Sequence, residues 1–168
     1  ASDILLKYYN VNSNLILFFF DEKGKFLTKR SLEFKDGLLF ISITSEYLGK
    51  EGIGTFIALN IPISKLDFNV QVTNRCYVGY GKKGYHSMVH GNMIAIKTNP
   101  SQINFDTLKN IRPAVSSRKG NYEYFLQKPN ILSTKMSLIF TNPLERSIQV
   151  IVEGKKYLIG SKACIKVS

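Results

Sequence analysis

Short runs of apolar, β-branched and aromatic residues, each stopped by Gly, Asn or Asp, recur along this chain from one end to the other. That punctuation constrains the fold more than any other feature, because short runs between turn residues read as strands joined by hairpins. The runs fall at 4–9, 15–20 and 25–30, with Asp21-Glu22-Lys23-Gly24 as the hairpin turn between the last two. The clearest turn follows, Asp36-Gly37 between 31–35 and 38–44, where Asp-Gly supplies the positive φ that a type I′ turn needs. In residues 55–61, introduced by Gly52 and Gly54 and stopped by Pro62, Phe56, Ala58 and Asn60 alternate with Ile57, Leu59 and Ile61, which describes a strand wholly or partly buried on both faces.

Further runs at 68–73, 75–80, 85–90 and 92–98 form a meander, with Gly81, Gly84 and Gly91 expected at its turns. The remaining strands are expected at 121–127, 135–141, 147–152 and 157–167, the last interrupted at Gly160, with Glu153-Gly154-Lys155-Lys156 turning the final hairpin. One segment carries helix signals: Asn99 as N-cap, Pro100 at the first helical position and Gln102 to close a capping box, so a short helix is expected over 100–110. At 168 residues the chain suits a single domain over 1–168, a mainly antiparallel β-sandwich or barrel-like sheet with that helix as an accessory. Hydrophobic residues at 44% and charged residues at 21% exclude a disordered chain, and no apolar run approaches the ~20 residues of a membrane-spanning helix.

The net charge is +11, and its position is more informative than its size. Residues 1–70 hold eight basic and eight acidic groups and are neutral. Residues 71–168 hold 15 basic groups against Asp106, Glu123, Glu145 and Glu153, so all of the excess lies there. Within that half, the stretch 74–86 interleaves Arg75, Lys82 and Lys83 with Tyr77, Tyr80 and Tyr85 and has no carboxylate. Cations that track phosphates beside aromatic faces that stack on bases are what single-stranded nucleic acid requires. Strand alternation puts Arg75 and Tyr77 on one face and Cys76, Val78 and Tyr80 on the other, so only part of the set faces outward together. Lys97, Arg112, Arg118 and Lys119 extend the candidate surface if folding brings them to the same side. An ordinary hairpin with solvated lysines and packed tyrosines accounts for the same residues.

Catalytic signatures are sparse. His86 and His90 lie four apart in a strand, about 13 Å, too far to share one metal ion. Glu33-Phe34-Lys35 with Asp21 upstream matches half of a Mg²⁺-dependent nuclease pattern, although Asp21 also suits a tight turn. No P-loop, dinucleotide-binding glycine pattern or nucleophile elbow is present, and no cofactor is implied. Cys76 and Cys164, far apart and outside any C-x-x-C spacing, read as reduced thiols, and Ala1-Ser2-Asp3-Ile4 has no secretory character, so an intracellular setting is expected, cytoplasmic or in a host cell or virion. Three functions follow in order. The first is a non-enzymatic, sequence-tolerant nucleic-acid-binding β domain, its partner DNA, RNA or another polyanion. The second is a structural subunit of a viral or phage particle, forming a homo-oligomer or larger assembly. The third is the nuclease.

Overall fold

The computed structural model describes residues 1–49, 51–68, 74–82, 85–96 and 137–168, with positions 74–76, 80, 82 and 85–96 described as backbone. The elements are α1 (Ile4–Tyr9), β1 (Ser13–Asp21), β2 (Phe26–Glu33), α2 (Ser45–Leu48), β3 (Gly54–Pro62), β4 (Asn74–Lys82), β5 (Tyr85–Ile96), β6 (Leu138–Thr141), β7 (Ile148–Val152), β8 (Lys155–Ile159) and β9 (Cys164–Val167). They form an open five-stranded sheet of order β2-β1-β3-β5-β4 and two ribbons, β6-β9 and β7-β8. Every pairing is antiparallel except β3 with β5. The chain is therefore mainly antiparallel and all-β with short helices as accessories, and none of the described sheets closes into a barrel. The helix expected over 100–110 and the strand at 121–127 lie outside the described residues, as does the strand at 68–73 beyond Phe68.

β1 organises the core because both of its faces are apolar. Leu15, Leu17 and Phe19 pack with Ala58 on one side, under Leu39, Ile41, Tyr47, Leu48 and Val78. Phe18 and Phe20 pack with Leu59 and Ile61 on the other. Fully burying side chains of this size contributes roughly 1.5–3 kcal/mol each, and their alternation holds the register of β1 against β3.

Three local expectations are corrected. Residues 4–9 form a helix and not a strand, because the Asp3 carboxylate caps it, accepting the Leu6 N–H at 3.0 Å. Asn10 closes it in the left-handed region at φ 53°. Asp3 is itself buried, held by the Ser13 hydroxyl at 2.6 Å, which in turn accepts from the Asn60 side chain at 3.0 Å. A cap of this kind is worth ~1 kcal/mol, enough to decide between helix and strand for so short an apolar run.

The second correction concerns 38–44. Asp36 (φ 50°) and Gly37 (φ 75°) make the expected type I′ turn, and Lys35 and Leu38 exchange backbone hydrogen bonds at 2.9 and 3.0 Å. Beyond Leu38 no strand forms, since Ala1 and Asp3 take up the backbone of Leu39 and Gly37 and draw the segment off β2. Leu39 and Ile41 still reach the core.

The third is Gly91, which marks no turn. Cys76 pairs with Asn92 and Tyr77 with His90, so Gly91 is the extra residue of a bulge inside a continuous β5. The last hairpin is also tighter than expected: Glu153 and Gly154 alone make its turn, and Lys155 and Lys156 already belong to β8.

The C-terminal ribbons meet the main sheet at the β1–β2 turn. There the Asp21 carboxylate accepts the N–H groups of Lys23 and Lys25, both at 2.9 Å, and Gly24 stands at φ 83°. The Cys164 N–H reaches the Glu22 carbonyl at 3.1 Å, and the Thr55 hydroxyl donates to the Lys162 carbonyl at 2.8 Å. Asn142, fully buried, joins the two ribbons by donating to the carbonyls of Arg146, Ile159 and Gly160 and accepting from the Leu144 N–H. Lys162, also buried, donates to the Pro143 carbonyl at 2.7 Å and pairs with Glu145 at 3.0 Å.

Candidate nucleic-acid interface

Of the candidate residues, the fold brings together those on the β4–β5 ribbon. Arg75, Tyr77, Tyr80 and Lys82 lie on β4, and Tyr85 lies opposite Lys82 at the start of β5. Lys83, Lys97, Arg112, Arg118 and Lys119 lie outside the described residues.

The two faces of β4 differ. Val78 is half-buried and packs against the Leu15, Leu17, Phe19 and Ala58 cluster. Tyr77 is 60% exposed, and Gly79 and Gly81, the next positions of its parity, are exposed as well. The odd-numbered face therefore looks outward, with Arg75 at a position of the same parity. Tyr80 and Lys82 share the parity of Val78, and register puts Tyr85 with them. The aromatic residues that look like one cluster in the sequence are thus divided between two faces of the ribbon.

Register also adds two residues that sequence reasoning weighed only as a metal pair. His90 pairs with Tyr77 and His86 with Gly81, and directly paired residues share a face of the sheet. The outward face thus carries positions for Arg75, Tyr77, His86 and His90, with glycines between. Hairpin register, anchored on the Lys82 and Tyr85 pair, is the signal that would have found the histidines from sequence.

The nuclease trio is not assembled. Asp21 ends β1 at the turn, whereas Glu33 pairs with Asn14 at the opposite end of the same hairpin. The length of β1 between Asn14 and Asp21 is roughly 23 Å at about 3.3 Å per residue, so these carboxylates cannot hold one ion. Among the described residues no group of three or more His, Cys, Asp or Glu is placed to hold a metal. The concavity lined by Ile43, Thr44, Ser45, Leu48, Glu51 and Gly52 offers one carboxylate and no base to work with it. Cys164 is buried, and burial, with the nearby charges of Glu22 and Asp21, pushes its thiol pKa up. It stays protonated at neutral pH and is a poor nucleophile.

Among the described residues no helix is long and apolar enough to cross a membrane. Comparison with protein-family models, with curated proteins and with solved structures finds no match for this chain.

Proposed function

We propose that this chain is a non-enzymatic nucleic-acid-binding β domain that takes single strands with little regard to sequence. The observation that carries the reading is Tyr77, an aromatic ring 60% exposed on a strand in the half of the chain that holds all of the excess positive charge. A base stacked on such a ring contributes about 1–3 kcal/mol, whatever the base. Gly79 and Gly81 are exposed on the same face, and in this reading Arg75, at the neighbouring position of that face, supplies a cation for the backbone. No Asp or Glu occurs between Asp67 and Asp106, so nothing in the ribbon repels phosphate. Lys82, Lys83, Lys97, Arg112, Arg118 and Lys119 extend the basic surface in this reading. Such a domain works where nucleic acid is within reach, in the cytoplasm, a host cell or a virion.

Fluorescence anisotropy of a labelled oligothymidylate tests it. A single strand contacted at six phosphates should lose affinity by roughly 300-fold between 50 and 200 mM salt, following a slope of about −0.7 per phosphate. Failure to bind any DNA or RNA at 50 mM salt ends the proposal.

A second reading, a structural subunit of a viral or phage assembly, is favoured by a different observation. Ile151 and Leu158, diagonal neighbours on one face of the β7–β8 ribbon, are 62% and 74% exposed, and Phe40 is 88% exposed. Exposed apolar side chains, two of them neighbours on one ribbon, suit contact with a further subunit. Sedimentation velocity separates the two readings: an assembly subunit should form oligomers that Leu158→Ser disperses, whereas a strict monomer at high concentration that binds oligonucleotide tightly excludes assembly as the main role.

A further inference from the structure

The pairing of β4 with β5 sets His86 opposite Gly81 and His90 opposite Tyr77, on the face where Tyr77 is exposed. We propose that this face binds the backbone of single-stranded nucleic acid in a proton-dependent way, the histidines at positions 86 and 90 gaining charge as the pH falls and tightening the complex. The proposal rests on the nucleic-acid reading and names a regulation of the same surface.

Two groups are involved and not one shared site. Four residues of strand separate His86 from His90 by about 13 Å, so each acts on the strand as a separate charge. Imidazole is the side chain whose ordinary charge change falls between pH 5 and 8. Among the described residues, no position that register sets beside them is an Asp or Glu. On β4, Arg75 and Tyr77 have the same face, while Cys76, Tyr80 and Lys82 have the other parity. On β5 itself Tyr85 has that other parity, and β3, the strand on the far side of β5, contains no titratable residue. With no carboxylate anywhere from 68 to 105, phosphate is the natural counter-ion for both imidazolium groups.

The sign follows from linkage. Phosphate favours the protonated imidazole, so the bound state takes up protons and affinity rises as pH falls. Each added phosphate contact on a single strand steepens the dependence of log K on log salt by about 0.7, and two by about 1.4. At 0.1 M salt that amounts to roughly a 20-fold gain.

The test is binding of oligothymidylate, whose bases do not titrate in this range, at pH 8.0 and pH 5.5 across a salt series. The wild-type chain should give an affinity ratio between the two pH values of about 20 and a salt slope steeper by about 1.4 at the lower pH. His86→Gln with His90→Gln should bring the ratio close to 1. His86→Arg with His90→Arg should also remove the pH response while giving at pH 8.0 the steeper slope that the wild type has at pH 5.5. Thermal unfolding of each variant at both pH values shows that the sheet is intact. A wild-type ratio near 1, or a full pH response in the double Gln variant, overturns this proposal and leaves the nucleic-acid reading standing. No binding at either pH overturns both.

Discussion

Gly24→Ala should lower the unfolding free energy by about 3 kcal/mol, and Gly154→Ala by about 1 kcal/mol, although both glycines sit in hairpin turns at nearly the same φ, 83° and 78°. The shared part is the cost of placing a side chain in the left-handed region, about 1–2 kcal/mol. The difference lies in what surrounds them. A Cβ on Gly154 meets nothing within 4 Å, whereas a Cβ on Gly24 would stand 2.0 Å from the Ser161 carbonyl oxygen, which is backbone and cannot swing aside. Relief requires the 160–163 loop to move away from the β1–β2 turn, which puts the Cys164 to Glu22 and Thr55 to Lys162 hydrogen bonds at risk. Urea unfolding of the two variants measures this directly. Equal losses would show that the C-terminal ribbons do not depend on close approach to this turn.

Tyr77→Ala should weaken binding of single-stranded oligothymidylate by about 1–3 kcal/mol, roughly 5- to 150-fold, with a much smaller effect on a duplex of the same length. Duplex bases are already stacked on one another and offer no free face, so the loss should track strandedness and not charge. Tyr77→Phe keeps the ring and should retain most of the affinity. Tyr77 is 60% exposed, and thermal unfolding of Tyr77→Ala beside the wild type separates a loss of binding from a folding defect. Anisotropy titrations at 50 mM salt on both substrates provide the comparison. An equal loss on duplex and single strand, or no loss on either, would remove Tyr77 from the binding surface.

How far the sequence could be read depends on the range of the interaction involved. The turns at Asp21–Gly24, Asp36-Gly37 and Glu153-Gly154 were legible because each is decided by a few adjacent residues: a carboxylate that bonds the next N–H groups, or a pair that accepts positive φ. The 55–61 strand, half-buried to Ile57 and buried from Ala58 on, was legible for a similar reason, since a run with apolar residues at both parities has no solvent face. Residues 4–9 read as a strand because six residues fit either period, and what selects helix is Asp3, stabilised from Ser13 and Asn60 in later elements. The 38–44 run has the alternation of a strand but lost its partner to the first residues of the chain. Gly91 reads as a break because a glycine in a strand looks like a turn until the opposite strand supplies the register.

The candidate interface divides in the same way. The sequence by itself determined that the chain is mainly antiparallel β, that its excess positive charge is confined to 71–168, and that Arg75 and Tyr77 lie on one face of their strand with Tyr80 on the other. These follow from local conformation and from counting, and the two-residue period of a strand needs no partner to operate. Which of the two faces looks outward was decided only when Val78 packed against Leu15, Leu17, Phe19 and Ala58 and left Tyr77 exposed. That His86 and His90 share the outward face was decided only by the pairing of β4 with β5. The same holds for the nuclease motif, whose Asp21 and Glu33 are close in sequence but are carried to opposite ends of a hairpin by its register. A strand's alternation is local, but which face is buried and which residue stands opposite are settled by contacts between segments far apart in the chain.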